Sequence, residues 1–267
     1  MFNEARYIDI HGHMNFPEYE ADREDVIARA QNAGVAMITV GTGIESSSRA
    51  VELARMHENM WATVGIHPTD TKESLQFPLL SRLAHEPQVV AIGECGLDYF
   101  HSTLEHRAIQ MEVFEQHIAL ANEVSKPMML HVRNGKNVGD KAVDGGNAYQ
   151  DALGLVRAHA KVRVNFHFFA GSIADLKDIL DIGGMVSFTG VVTFTRDYDE
   201  LIRYVPLERI MSETDCPFVA PVPYRGKRSE PAHVVEVVSA IAKIRGDDPE
   251  KVRGQLLINA RNFFNLN

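Results

Sequence analysis

Tyr7-Ile8-Asp9-Ile10-His11-Gly12-His13 is an apolar, strand-like run that ends in two histidines, and it sets the reading of the whole chain. On an extended backbone, residues i and i+2 point the same way, so His11 and His13 face one point. Gly12 between them, lacking a Cβ, lets a neighbouring backbone approach closely. Similar short apolar runs follow at 36–40, 61–66, 89–93, 127–131, 162–168, 185–189 and 209–213. With 7–11 they make eight strands. Stretches of helical spacing lie between them, at 20–33, 46–57, 104–124, 173–182, 230–244 and 249–264. The helix at 173–182 has a sequence signal at each end, Gly171-Ser172 before it and Gly183-Gly184 after it.

Strand and helix in alternation mark parallel βα units. Eight strands in 267 residues predict an α/β chain folded as a closed (β/α)8 barrel of the TIM type, although an open doubly wound sheet shares much of the pattern. No Pro- or Ser-rich linker interrupts the rhythm, so 1–267 is read as a single domain. The loosest segment, 134–147, holds Gly135, Gly139, Gly145 and Gly146. It is expected to be a long loop after the fifth strand, on the face where barrel enzymes carry their chemistry.

The ionisable residues sit at the C-terminal ends of the predicted strands. They are His11 and His13, His67, Glu94, His131, His167 and Asp215, on six different strands. In a barrel these ends converge on one mouth. Gathering several His, Glu and Asp there without partners is costly, whereas divalent ions neutralise the acids and use the imidazole lone pairs. Four histidines and two acids exceed one tetrahedral site and suit two divalent ions bridged by a carboxylate. His11 and His13 would serve one ion, and His131 and His167 the other or both. Glu94 is the natural bridge, and Asp215 can bind an ion and accept a proton from an attacking water. A divalent ion brings the pKa of water it holds to about 7. Mg, Mn and Zn all fit such a donor set.

Net charge is −9, from 27 Lys and Arg against 36 Asp and Glu. That excludes a simple coat for nucleic-acid backbone, so a phosphate partner needs a local patch or bound metal. Such a patch is expected at Arg225, Lys227 and Arg228, helped by Arg133. Phe100, Phe168, Phe169 and Tyr224 lie near the same strand ends, where an aromatic can stack a base or simply fill the core. Two cysteines, Cys95 and Cys216, make no disulfide framework. The first residues lack a secretion signal and no stretch is apolar for the ~20 residues of a membrane helix. A cytoplasmic setting is expected, with no membrane partner and a monomer or weak oligomer.

The motifs together resemble the TatD-type metal-dependent deoxyribonucleases, a branch of the amidohydrolase-like barrels. The matching stretches span nearly the whole chain. They are Asp9-Ile-His11-Gly-His13, Gly65-Ile-His67-Pro68, Ile92-Gly-Glu94-Cys-Gly-Leu-Asp98-Tyr99 and Pro127-Met-Met-Leu-His131-Val-Arg133. Further along come Asn165-Phe-His167-Phe-Phe-Ala-Gly171-Ser172, Glu213-Thr-Asp215-Cys-Pro217 and Pro223-Tyr-Arg225-Gly-Lys227-Arg228-Ser-Glu230-Pro231. The resemblance implies metal ligands at His11, His13, Glu94, His131, His167 and Asp215. It implies hydrolysis of DNA phosphodiesters, often from the 3′ end of a single strand. His67 looks like the family's non-ligand active-site histidine, placed near a phosphate or leaving group. Related members are credited with hydrolysing D-aminoacyl-tRNA, so that ester, or a small ester or lactone, is the alternative substrate. A non-enzymatic barrel with structural metals is the third possibility, opposed by the size of the ligand set. The sequence departs from the family in its long 134–147 loop, and in having Phe168-Phe169-Ala170 where Cys-Phe-Ser is common.

Overall fold

The computed structural model describes residues 5–266, apart from Lys136, Gly139, Asp140 and 143–145. Eight parallel strands form one sheet in the order β1 (Tyr7–Gly12), β2 (Val35–Val40), β3 (Met60–Val64), β4 (Val89–Asp98), β5 (Met128–Arg133), β6 (Val164–Phe166), β7 (Met185–Phe188) and β8 (Ile210–Ser212). The sheet nearly closes on itself. Past the end of β8, Gly12 bridges Cys216 in parallel, the Asp215 amide donates to the His11 carbonyl at 2.8 Å, and the His13 amide donates to the Cys216 carbonyl at 2.7 Å. The buried Asp9 carboxylate ties the same seam by accepting the Thr214 amide at 2.9 Å and the Thr214 hydroxyl at 2.5 Å. A Cβ on residue 12 would stand 2.7 Å from the Cys216 sulfur, so the glycine predicted to admit a close neighbour does so here. The fold is the (β/α)8 barrel.

The helices are α1 (Arg23–Asn32), α2 (Ile44–Met56), α3 (Phe77–Ala84), α4 (Leu104–Val124), α5 (Ala148–His159), α6 (Ile173–Asp181), α7 (Asp199–Tyr204), α8 (Val234–Arg245) and α9 (Pro249–Phe264). Two apolar layers hold them. One lies between the strands and the helix ring. The other fills the lower barrel with Ile8, Ile10, Ile38, Met129, Met185 and Met211, and is plugged by Phe263, Phe264 and Leu266 at the end of the chain. With its floor packed by apolar side chains, the barrel, among the described residues, opens its polar layer at the C-terminal mouth.

Three helices were not expected from sequence. α3 is short and has a proline in its first turn, α5 carries Gly154 in its middle, and α7 has only 6 residues, so none presents a long clean apolar stripe. β6 is shorter than the predicted 162–168 run, and β4 continues past Gly93 to Asp98. α6 keeps its predicted cap: Ser172 accepts the Asp175 amide while Asp175 accepts the Ser172 amide. Of the 134–147 loop, a short antiparallel pair, Asn137–Val138 with Lys141–Ala142, is described. The loop's expected place on the face that carries the chemistry falls partly outside the described residues.

His117 is fully buried in α4. Its Nδ1–H donates to the Val113 carbonyl at 2.7 Å, and its Nε2 accepts the Ile66 amide at 3.0 Å, next to His67. Burial holds its pKa down at about 4, so it is neutral in the folded protein, whereas the unfolded chain takes a proton near the ordinary 6.5. Below that ordinary value the unfolded state binds more protons. Stability from this residue is therefore complete above pH 6.5 and is lost as pH falls toward 4, by about 3 kcal/mol in all. Urea titrations across this range are expected to show a shallower loss for His117→Gln than for wild type in the same metal state. Equal slopes would remove His117 as the cause.

Candidate metal centre

Register irregularities in β1, between Asp9 and Gly12, and in β4, between Ile92 and Cys95, coincide with His11 and Glu94. Such bulges re-aim side chains beside functional sites. Asp215 and Phe168, just beyond β8 and β6, take left-handed backbone at φ 55° and 42°. Positive φ is uncommon without glycine and clusters at functional sites. These local departures bring six strand ends to one cavity of about 280 Å3, whose wall includes His13, His67, Glu94, His131, His167 and Asp215.

Glu94 is the hub. Its Oε1 lies 2.9 Å from His131 Nδ1, 2.9 Å from His167 Nε2 and 3.5 Å from His67 Nε2. Its Oε2 faces the other way, 3.4 Å from His11 Nε2 and 3.9 Å from His13 Nε2. Asp215 Oδ1 completes that second group, 3.7 Å from His11 Nε2 and 3.4 Å from His13 Nε2. Metal bonds of 2.0–2.2 Å in a tetrahedron separate ligand atoms by about 3.3–3.6 Å, close to the spacing on the His11, His13 and Asp215 side.

Each histidine's remaining nitrogen shows which lone pair is available. His13 Nδ1 contacts the Val40 carbonyl at 3.1 Å, which makes it the donor and leaves the Nε2 lone pair facing the acids. His131 Nε2 lies 3.1 Å from Asp98 Oδ2, which frees Nδ1. His167 Nδ1 is 3.6 Å from Glu213 Oε1, and Glu213 is itself held by the Phe168 amide at 2.6 Å and the Ser187 hydroxyl at 2.7 Å. Neither nitrogen of the fully buried His11 has a hydrogen-bond partner among the described residues. A buried imidazole left this way, beside two carboxylates, fits a cation as its partner. His67 differs. Its Nδ1 accepts the Thr69 amide at 3.3 Å and contacts the Thr69 hydroxyl at 2.6 Å, so its proton sits on Nε2, toward the cavity.

The electrostatics agree with a site built for positive charge. Burial pushes Glu94 up, but His167, His67 and His11 outweigh it and hold the carboxyl well below its usual range. Burial likewise opposes, and His13, His11 and His167 reverse, the shift of Asp215, which ends low. Burial lowers His167 and His131, yet the neighbouring carboxylates raise both overall. Burial, with the His131 charge beside it, takes His67 down to about 3, so it is neutral at pH 7.

The structure thus brings together His11, His13, His67, Glu94, His131, His167 and Asp215. Of the four cations expected beside them, it brings Arg133 to the cavity wall, with its guanidinium 4.1 Å over the Phe100 ring. The expected clamp of Arg225, Lys227 and Arg228 is not assembled there. Arg228 is paired to both oxygens of Asp22, at 2.6 and 2.9 Å. With Lys227 it lines a separate hollow beside Arg29 and Glu230. Arg225 donates to the Ala220 carbonyl at 2.9 Å and sits 3.9 Å over Phe194. Sequence proximity to Asp215 suggested the clamp, but Asp22 holds the Arg228 side chain, and the Ala220 carbonyl and Phe194 hold that of Arg225. Of the aromatics, Phe168 reaches the cavity, Phe169 is core, and Tyr224 stacks on His233 at 3.9 Å. Phe16 and Phe218 at the mouth were missed, since neither stands at a strand end. Asp98 was quoted within a motif, but its hold on His131 was not foreseen. The signal lay in its place at the end of the same extended strand as Glu94. Cys95 and Cys216 are buried and form no disulfide, and burial raises both thiols, that of Cys216 up to about 12.

Histidines and carboxylates gathered at the mouth of a (β/α)8 barrel are the donor set of a metal-dependent hydrolase. The comparisons place it further. A family model described as TatD related DNase matches residues 8–265, and the chain belongs to that family. It is 34% identical over 97% of its length to an uncharacterized metal-dependent hydrolase, YabD, of Bacillus subtilis, and covers 99% of that protein. It is 33% identical over 97% of its length to a 3′-5′ ssDNA/RNA exonuclease, TatD, of Erwinia amylovora, again covering 99%. The crystal structure of YjjV, a TatD homolog from Escherichia coli, superposes with a TM-score of 0.86 at 25% identity, covering 100% of both chains. Among the described residues, no helix is long and apolar enough to cross a membrane.

Proposed function

We propose that this chain, working as one domain over 1–267, is a two-metal phosphodiesterase that removes nucleotides from the 3′ end of single-stranded DNA in the cytoplasm. The observation that carries the reading is Glu94, whose two oxygens face two separate groups of imidazoles. His11, His13 and Asp215 would hold one divalent ion, His131 and His167 the other, with Glu94 shared; Mg, Mn and Zn all suit these donors. When bound, the ions supply Lewis acidity at the scissile phosphate and make water a nucleophile at neutral pH.

The chain's own groups do the rest. Asp215, a carboxylate at neutral pH, takes the proton of the water whose oxygen attacks phosphorus. His67 presents Nε2–H toward the cavity. There it donates a hydrogen bond to a phosphate oxygen, and the 3′ oxygen takes its proton from solvent water as its bond to phosphorus breaks. Arg133 meets the anionic chain at the mouth.

The test compares a single-stranded oligonucleotide with a D-aminoacyl-tRNA and a small lactone, all with metal present. The expected result is that the oligonucleotide has the highest kcat/KM and that this value falls steeply with salt. Preference for either ester, with a flat salt response, would move the assignment to an esterase. Arg133→Ala is expected to raise KM for DNA and to reduce the salt slope by about one. Arg228→Ala, which removes the pair with Asp22, is expected to change stability rather than the slope. Equal slopes for wild type and Arg133→Ala would exclude Arg133 from phosphate binding.

A further inference from the structure

The main cavity continues into a side lobe of about 160 Å3. It shares His131, Arg133 and His167 with the main cavity and adds Val132, Ala170 and Tyr198, with Phe168 at the junction. The two parts differ in chemistry. The main cavity is lined by Glu94, Asp215 and Asp70, whereas the described wall of the side lobe includes no carboxylate and Arg133 is its one permanent cation. Two aromatic residues line it from different loops. Phe168 follows β6, with its amide held by Glu213 at 2.6 Å. Tyr198 precedes α7, half-buried, with its ring edge-on to Phe188 at 6.3 Å.

We infer that this lobe seats the base of the terminal nucleotide, with Tyr198 as a specificity-determining residue; the inference rests on the phosphodiesterase reading above. A nucleotide is amphipathic, with an anionic phosphate joined to a flat, uncharged ring. The ion-binding cavity suits the first, the aromatic lobe the second, and Arg133 stands where the two meet. Pockets that bury a whole drug-sized ligand measure about 300–1,000 Å3, so this lobe matches one ring system in size. The base at a chain end supplies one. Stacking on aromatic side chains is indifferent to which base is present, as an exonuclease moving through any sequence requires.

The experiment uses two single-stranded oligonucleotides, identical except that one ends at its 3′ terminus in an abasic residue. Release of the terminal residue is followed for wild type, Tyr198→Ala and Tyr198→Phe with the metal present. Wild type is expected to prefer the base-bearing end by roughly tenfold or more in kcat/KM. Tyr198→Ala is expected to bring that ratio close to one, chiefly through KM, and Tyr198→Phe to keep it. Both substrates meet the same preparation, so partial misfolding cancels in the ratio. A wild-type ratio of one, or a ratio undiminished in Tyr198→Ala, would overturn the base seat while leaving the nuclease reading intact. No hydrolysis of either strand by wild type would overturn both.

Discussion

Glu94→Ala is expected to lower kcat by roughly 10^3-fold or more while the barrel still folds. The size follows from the position of the side chain. Its two oxygens serve both imidazole groups, so one substitution removes a donor from each half of the centre. Glu94 is also the main negative charge that keeps His167 raised and, after Asp98, a cause of the raised His131, so its loss leaves two imidazoles without their nearest acceptor. Metal content per chain, measured beside kcat, should fall with activity. The strands around it are held by the ladders to β3 and β5 and by apolar packing, none of which involves the carboxylate, so the far-ultraviolet circular dichroism should stay unchanged. DNA cleavage by Glu94→Ala near the wild-type rate would refute the assignment of Glu94.

Asp98→Asn is the second large effect. The Asp98 carboxylate fixes His131 by accepting from its Nε2, while also taking the amides of Phe100 at 2.9 Å and His101 at 2.8 Å. Gln110 braces the same residue through its backbone amide at 3.0 Å. An amide in its place keeps the acceptor for the backbone but loses the charge that holds the His131 proton on Nε2. The free lone pair on Nδ1, which faces Glu94, is then no longer assured. Outer partners of this kind are worth 10–100-fold in metal affinity or activity, and a loss in that range is expected in Mn2+ binding measured by calorimetry. Unchanged affinity and rate would show that Asp98 only shapes the turn after β4.

The sequence was most readable where one residue type does one job in a regular element. His11 and His13 stand two apart on a strand, and their spacing alone foretold a shared direction. The convergence of six strand ends followed from the barrel rhythm. What escaped was set by tertiary partners. His117 carries no sequence mark that separates it from a surface histidine. Only the pairing of its Nε2 with the Ile66 amide, 51 positions away, makes it a core residue under the His67 loop. Arg228 looked like a phosphate ligand by its closeness to Asp215, but Asp22, 206 positions away, holds it. Phe16, Phe218 and Tyr198 reach the mouth from loops, whose direction no periodicity encodes.

The central claim is a nuclease that works with two ions divided by Glu94. The most direct measurement returns Zn2+ or Mn2+ in steps to metal-stripped protein and counts bound ions. At each step it follows a 5′-labelled single-stranded oligonucleotide. The account predicts a ladder shortening from the 3′ end whose rate rises mainly as the second equivalent binds. Full activity with a single ion, or no cleavage with two ions bound, would contradict it.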